Sequence, residues 1–288
     1  MNPALGGLLT ATAWGTADFI AHYTGRSLGH VTALFGMTLV SGLAFVALVY
    51  VQGDALVWSW KGIWALLLGA CGILFGTMFL YWGLARGPVA VAGPIVSAYP
   101  AINLALAVAQ GKVPEAVEWL AMLAVMGGVA LVAWAAGRPI GQARYSRAHL
   151  RITVLISLAG MMGFALGIDG AQEAAKSYGE LQTVMSMRLI GILLLALYFF
   201  LYLRRAPAIP GRWWPILTLQ GMLDGGAYVA LLLGSRGEDA VHAVVIASTF
   251  SAITAVLARF ILKEPMNWLQ WVGIGVIVGG VATLSFYK

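Results

Sequence analysis

Charged side chains inside long apolar stretches are the residues of this sequence with the clearest capacity for chemistry. Asp224 lies in LQGMLDGGAYVALL and Arg188 in TVMSMRLIGIL, each with apolar residues on both sides. Opposite charges on neighbouring helices can form an ion pair, which lowers the cost of burying either charge. The same groups can instead bind a zwitterion, with Arg188 on its carboxylate and Asp224 on its ammonium group. The sequence leaves both interpretations open.

Two further carboxylates, Asp18 and Asp169, lie 151 residues apart in similar apolar stretches. Asp18 follows Trp14 by four residues and precedes His22 by four, so these three side chains share one face of a helix. A related pair of carboxylates is suited to binding a proton or an amino group. The alternative is that both lie near the ends of their helices and contact water or lipid head groups.

The composition identifies the medium in which these charges are buried. The 288 residues are 61% hydrophobic and 10% charged, whereas soluble domains carry about 25% charged residues. Such a chain fits a lipid bilayer, in which a buried ionisable residue is costly and marks a functional position. The formal charge of +6 comes largely from basic residues in short connections. These set membrane topology and do not indicate nucleic-acid binding.

An internal repeat organises the apolar sequence, because residues 63–134 and 214–286 align with an offset of about 150 residues. A transmembrane helix needs about 20 mainly apolar residues. Ten stretches meet this length: 3–22, 31–51, 62–84, 89–110, 116–136, 151–171, 180–203, 213–234, 240–262 and 267–286.

Five helices in each repeat is an odd number, so the second repeat enters the membrane from the opposite side. The sequence therefore predicts an all-α polytopic membrane protein with ten transmembrane helices, arranged as two inverted five-helix repeats around a central cavity. The predicted units are a first repeat over 1–136, a basic connecting loop over 137–150 and a second repeat over 151–288.

The fourth and ninth helices are equivalent in this repeat and carry polar or helix-breaking residues. Pro94 and Pro100 each remove a backbone hydrogen bond, and broken backbone at membrane depth is tolerated within protein or beside a water-filled cavity. Gly93 completes the predicted break. The hydroxyls of the ninth helix either face this cavity or bond back to their own helix. With the four charged residues above, the predicted cavity is lined by Trp14, Tyr81, Ser97, Tyr99, Asn103, Met162, Tyr228, Ser248 and Thr249.

Local motifs resemble those of the drug/metabolite transporter superfamily, in its ten-helix EamA-type branch. The motifs are ATAWGTADF in the first helix, the passage YWGLARGPVAVAGPIVSAYPAINLALA, and the turns GKVPE and LKEP. Within that branch the chain looks most like YddG-type amino-acid exporters. One departure is Lys112, which stands where the family turn usually has Glu.

The resemblance implies a secondary transporter that exports small metabolites by alternating access, with amino acids, aromatic ones among them, as the expected substrates. Drugs, nucleosides or sugars are alternative substrates, and a membrane-embedded enzyme or sensor is an alternative of another class. We expect no catalytic activity, cofactor, metal or nucleic-acid partner. The expected partners are a small-molecule substrate, the lipid bilayer and, as a further candidate, protons.

The expected location is the cell inner membrane. The loops on one side of the membrane hold twice as many basic residues as those on the other, which places both termini outside. The family resemblance implies the opposite orientation.

Overall fold

The computed structural model describes residues 1–53, 55–109, 115–136, 145–235, 240–263 and 266–286. Secondary structure in this part of the chain is entirely helical. The twelve α-helices are α1 Pro3–Leu28, α2 His30–Gln52, α3 Ile63–Arg86, α4 Val89–Val96, α5 Tyr99–Ala109, α6 Ala116–Ala136, α7 Arg147–Tyr178, α8 Glu180–Leu197, α9 Trp214–Gly234, α10 Ala240–Ala247, α11 Phe250–Ile261 and α12 Trp268–Phe286. The predicted turns at Lys112 and at 264–265, and most of the loop 137–150, lie outside the described residues.

Five helical stretches within the described residues are long and apolar enough to cross a membrane. They are His30–Gln52, Ile63–Arg86, Arg147–Tyr178, Glu180–Leu203 and Gly211–Gly234. The stretch that begins with α8 includes a π-helical segment over Tyr198–Leu203. These five apolar stretches agree with a multi-pass membrane protein. The count of ten membrane crossings stays a prediction.

The structure extends α7 well beyond the predicted range 151–171. The Ser146 side chain caps its start by accepting a hydrogen bond from the backbone N–H of His149, a common role for serine. The polar sequence after residue 171 is rich in alanine, Glu, Gln and Lys, which favour helix. The helix therefore continues until Gly179, whose φ of 74° suits glycine alone among common residues.

Both repeat-equivalent helices with polar residues are broken, although a break was expected in only one. The fourth predicted helix divides into α4 and α5, and the Ser97 hydroxyl donates to the Pro94 carbonyl at 2.9 Å. The range 240–262 was expected to form one helix, but it divides into α10 and α11. There the Thr249 hydroxyl donates to the Ile246 carbonyl at 2.7 Å. A hydroxyl that bonds to the carbonyl three residues before it competes with the helical pattern at both breaks.

Close helix packing in this fold depends on glycine. A Cβ built on Gly72 of α3 would lie 2.6 Å from the Gly167 Cα of α7, and one on Gly163 would lie 2.6 Å from the Gly76 backbone nitrogen. Small residues at such spacings let helix backbones touch in membranes. The pairing of α3 with α7 is accordingly the most extensive among the described helices.

The other extensive pairs are α1 with α9, α2 with α8, and α6 with α12. The sequence repeat, with its offset of about 150 residues, relates α3 to α9 and α1 to α7. The α3–α7 pair therefore corresponds to the α9–α1 pair. The α2–α8 and α6–α12 pairs each map onto themselves. The packing therefore follows the internal repeat of the sequence.

Candidate functional site

An ion pair between Arg188 of α8 and Asp224 of α9 lies inside the helical bundle. The Arg188 Nη2 group donates to Asp224 Oδ2, and the two side chains are only 7% and 9% exposed. The guanidinium carbon lies 4.9 Å from the ring centroid of Tyr228, one turn further along α9. The Trp14 ring packs edge-on against the Tyr228 ring. The structure thus brings together four residues that the sequence singled out.

A cluster of aromatic rings lies beside this ion pair. Trp14 of α1 makes edge-on contacts with Phe164, Tyr228 and Phe250, at centroid distances of 6.3, 4.8 and 5.8 Å. Edge-on packing is a favourable arrangement for aromatic rings. Tyr99 of α5 lies 6.1 Å from Phe164 and donates its hydroxyl to the Val244 carbonyl at 3.2 Å. One indole therefore connects α1 to α7, α9 and α11 beside the charged groups.

A second polar layer consists of buried neutral groups. Gln220 of α9 donates from Nε2 to the Tyr81 hydroxyl at 2.6 Å, and its Oε1 accepts from the Thr24 hydroxyl at 3.1 Å. Asp18 is 6% exposed and interacts electrostatically with both Asp224 and Tyr81. Gln220 and Thr24 are not among the predicted site residues. The available signal for Gln220 was an amide within an apolar helix, where full burial requires hydrogen-bond partners.

A small cavity of about 20 Å³ adjoins the guanidinium. Its walls come from four helices, with Leu34 and Thr38 on α2, Thr77 on α3, Arg188 on α8 and Tyr228 on α9. This volume has room for about one water molecule and is too small for an amino acid. The cavity beside Arg188 is therefore closed to a ligand of that size in this structure.

Three buried hydroxyls near this cavity lack a protein partner within the described residues. They are Thr38 Oγ1, Ser41 Oγ and Tyr228 OH. Thr38 and Tyr228 line the cavity itself, and Ser41 lies one turn along α2 from Thr38. A Cβ built on Gly225, the residue after Asp224, would lie 2.5 Å from Ser41 Oγ. Thr38 and Ser41 are likewise absent from the predicted site residues.

The two broken helices cross beside this centre. Ser97, at the break after α4, forms a hydrogen bond of 2.7 Å with the Ser251 hydroxyl of α11. Gly93 faces the same serine, since its added Cβ would lie 3.7 Å from Ser251 Cβ. Pro94 lies inside α4 and Pro100 in the first turn of α5. A hydroxyl pair therefore joins the two repeats at this crossing.

Two predicted site residues are placed elsewhere. Met162 is 47% exposed, whereas Met161 and Phe164 are buried, because successive helix positions point about 100° apart. Asp169 is exposed and Asp18 is buried, so the two carboxylates do not form a pair of equivalent groups.

Three further predicted residues differ in their surroundings. Ser248 is buried, Thr249 bonds back to its own helix, and Asn103 Oδ1 is buried without a protein partner in the described residues. No three His, Cys, Asp or Glu side chains of the described residues are grouped to hold a metal ion.

Comparison with known proteins agrees with this architecture. A model of the EamA-like transporter family matches residues 1–134 and again residues 151–286. The chain belongs to the EamA-like transporter family. This confirms the family predicted from the motifs, within the drug/metabolite transporter superfamily.

Two proteins similar to this EamA-like chain share low sequence identity with it. It is similar to an uncharacterized transporter in the cobO 3' region of Sinorhizobium sp., with 27% identity over 79 residues. That match spans 27% of this chain and 56% of the relative, so it covers just over half of the curated protein. A solved structure described only as "Crystal structure of protein" shares the fold with a TM-score of 0.68 at 18% identity, and the match covers 98% of this chain and 95% of that one.

Proposed function

We propose that this protein is a secondary transporter of the cell inner membrane that exports amino acids, by alternating access around the Arg188–Asp224 ion pair. The observation that carries the proposal is this buried pair, set among aromatic rings and beside a cavity, in a chain of a transporter family. The likeness of its motifs to those of amino-acid exporters supports the same substrate class.

A zwitterion suits a buried ion pair for an electrostatic reason. Separating Arg188 from Asp224 would leave two uncompensated charges in a low-dielectric interior, which is strongly unfavourable. An amino acid inserts one carboxylate and one ammonium group, so each protein charge exchanges one partner for another. A ligand with a single charge leaves one of the two groups without compensation. The neighbouring rings of Trp14 and Tyr228 offer apolar contact to an aromatic side chain.

Alternating access requires two states that exchange the roles of the repeats. We propose ten membrane crossings in two inverted five-helix repeats, 1–136 and 151–288. The α3–α7 and α1–α9 pairs correspond to each other in the sequence repeat, and both pack extensively, which supports this arrangement. The breaks at Ser97 and Thr249, 152 residues apart, give both repeats a hinge at the same position.

Protons are a candidate second ligand. Asp18 and Asp224 are both buried and interact with each other, while Arg188 supplies one positive charge. The cluster therefore has one excess negative charge when all three groups are ionised, and a proton or the ammonium group of the substrate compensates it. His22 lies one turn from Asp18, with Nδ1 2.8 Å from the Leu84 carbonyl oxygen. If Asp18→Asn and Asp224→Asn both leave pH-dependent flux unchanged, the carboxylate hypothesis is wrong.

The test of the proposed function is uptake of radiolabelled amino acids into liposomes that contain the purified protein, with empty liposomes as the blank. We expect saturable flux that unlabelled amino acids compete. Asp224→Asn should abolish it, whereas Glu173→Gln, which removes an exposed charge, should leave it unchanged. Flux of drugs, nucleosides or sugars without amino-acid flux would contradict the substrate assignment, and chemical conversion of a lipid would contradict transport itself.

A further inference from the structure

We infer that the hydroxyls of Thr38 and Tyr228, with Ser41 beside them, form a subsite that binds the carboxylate of the ligand next to Arg188. The inference rests on the proposed function for its setting, but its own basis is a set of buried polar groups. Thr38, Arg188 and Tyr228 line one cavity. The described residues offer no partner to any of the three hydroxyls.

The behaviour of other threonines shows why Thr38 is unusual. Hydroxyls of helical threonines commonly donate to the carbonyl four residues before them, which satisfies the group without any ligand. Thr10, Thr24, Thr183 and Thr254 all make this bond. Thr38 lies within α2 and is only 2% exposed, yet it makes no such bond. A buried hydroxyl without a partner is destabilising, so this position indicates a group outside the chain that bonds to it.

Tyr228 presents the same problem on the opposite wall. Its ring is 2% exposed and its face contacts the Arg188 guanidinium, but its hydroxyl has no protein partner in the described part of the chain. Ser41 is fully buried and lies on the face of α2 that carries Thr38. Two hydroxyls therefore line the cavity of the guanidinium, and a third lies one turn along α2 from Thr38.

The kind of ligand follows from the donors. The guanidinium of Arg188 has five N–H donors and no acceptor, and each hydroxyl adds one donor. Such a set favours a group with several acceptor lone pairs, and a carboxylate has about four such positions. The nearby carboxylates of Asp18 and Asp224 disfavour a dianion such as phosphate. A monoanionic carboxylate fits both conditions.

The size of the cavity adds a conformational requirement. A volume of about 20 Å³ holds about one water molecule, so a ligand carboxylate enters only when α2 moves away from α8. The Thr38 hydroxyl contacts the ligand in the state in which the two helices are apart. In the closed state of the present structure, Thr38 and Arg188 line the same small cavity. The subsite therefore links ligand recognition to the separation of these two helices.

The experiment measures thermal stabilisation of the purified protein and competition for flux, using leucine, phenylalanine and glutamine, each compared with its carboxamide. Thr38→Val and Tyr228→Phe remove a hydroxyl and keep the shape. We expect each to weaken the effect of the free amino acid about tenfold, which corresponds to one hydrogen bond to a charged group. The effect of the carboxamide should change little, so the preference for the carboxylate falls.

Two control variants separate this role from a structural one. Thr183→Val loses a hydroxyl that bonds to its own helix at Gly179 and should behave as wild type. Thr38→Ser retains the hydroxyl and should restore the carboxylate preference. The inference is overturned if Thr38→Val and Tyr228→Phe keep the wild-type preference, or if wild type binds no amino acid better than its carboxamide.

The two proposals fail in different ways. If wild type shows a carboxylate preference in thermal stabilisation that Thr38→Val removes, but shows no flux, the subsite stands and the transport proposal is wrong. If wild type transports amino acids while the hydroxyl variants keep its preference, transport stands and the subsite is wrong.

Discussion

Neutralising Asp224 should destabilise the protein far more than neutralising an exposed carboxylate. Asp224→Asn leaves the Arg188 guanidinium buried without its counter-charge, and breaking such a pair costs about 3–5 kcal/mol. Tyr228 retains its contact with the guanidinium at 4.9 Å, which offsets part of the loss and points to about 3 kcal/mol. The exposed pair of Glu173 and Lys176, with side chains 62% and 71% exposed, contributes at most about 1 kcal/mol.

The assay is thermal unfolding of the purified protein in detergent, followed by its tryptophan fluorescence. At about 2–4 °C for each kcal/mol, Asp224→Asn should lower the apparent melting temperature by about 6–12 °C, and Glu173→Gln by less than about 4 °C. Equal shifts for the two variants would refute the reasoning from burial. The double variant Arg188→Met with Asp224→Leu removes both charges and should recover most of the stability.

The same double variant distinguishes the two interpretations of the ion pair. A pair that only stabilises the bundle can be replaced by apolar residues without loss of flux. A pair that binds the substrate cannot, so the double variant should fold and transport no amino acid. Stable protein with normal flux would show that Arg188 and Asp224 are structural.

Two further predictions concern the helix contacts. Gly72→Val should prevent folding, because a Cβ at this position lies 2.6 Å from the backbone of α7. Gly127 has open space around it, so Gly127→Ala should be neutral or slightly stabilising. Size-exclusion profiles of both variants test this difference. Oxidation of the double variant Ser97→Cys with Ser251→Cys, made in a background without Cys71, should stop flux reversibly. The two hydroxyls are 2.7 Å apart, and the crossing cannot open once these positions are linked. Flux that survives a complete cross-link, measured by loss of free thiols, would contradict motion at this crossing.

Hydropathy and length located the helices, because apolar stretches of membrane length are distinctive in sequence. The ends were less accurate, as the extension of α7 to Tyr178 illustrates. There the sequence changes from apolar to polar residues but keeps high helix propensity. The structure ends the helix at a glycine with positive φ, and hydropathy carries no information about that conformation.

The break between α10 and α11 shows a second limit of the sequence signal. Proline marks a helix break directly because it lacks an N–H donor, and the first repeat carries two. The second repeat has a Ser-Thr pair instead, which is compatible with either a continuous helix or a break. Only the packing of the two helices against each other, with Ser251 bonded to Ser97, decides between them.

Site residues were predictable where a charge is rare and less so where a neutral group is common. Arg188 and Asp224 stood out because ionisable residues inside apolar helices are costly. Thr38 did not, because one threonine in an apolar helix has many uses. The side that a residue faces is also hard to predict in a helix that is apolar all round. This explains why Met162 was selected although its neighbour Met161 is the buried residue.

The cavity beside Arg188 lies where equivalent positions of the two repeats meet, and this suggests why the arginine is present in one repeat alone. Leu34 and Val184 are 150 residues apart, as are Thr38 and Arg188, and all four line the same cavity. If both repeats carried arginine here, two guanidinium groups would face each other in a dry interior, at a high electrostatic cost. Threonine on the first repeat avoids this repulsion and still supplies a donor. In the proposed transport cycle, an asymmetric pair of this kind would bind a carboxylate in one orientation, and the ligand would keep its contact with Arg188 while the helices around it exchange positions.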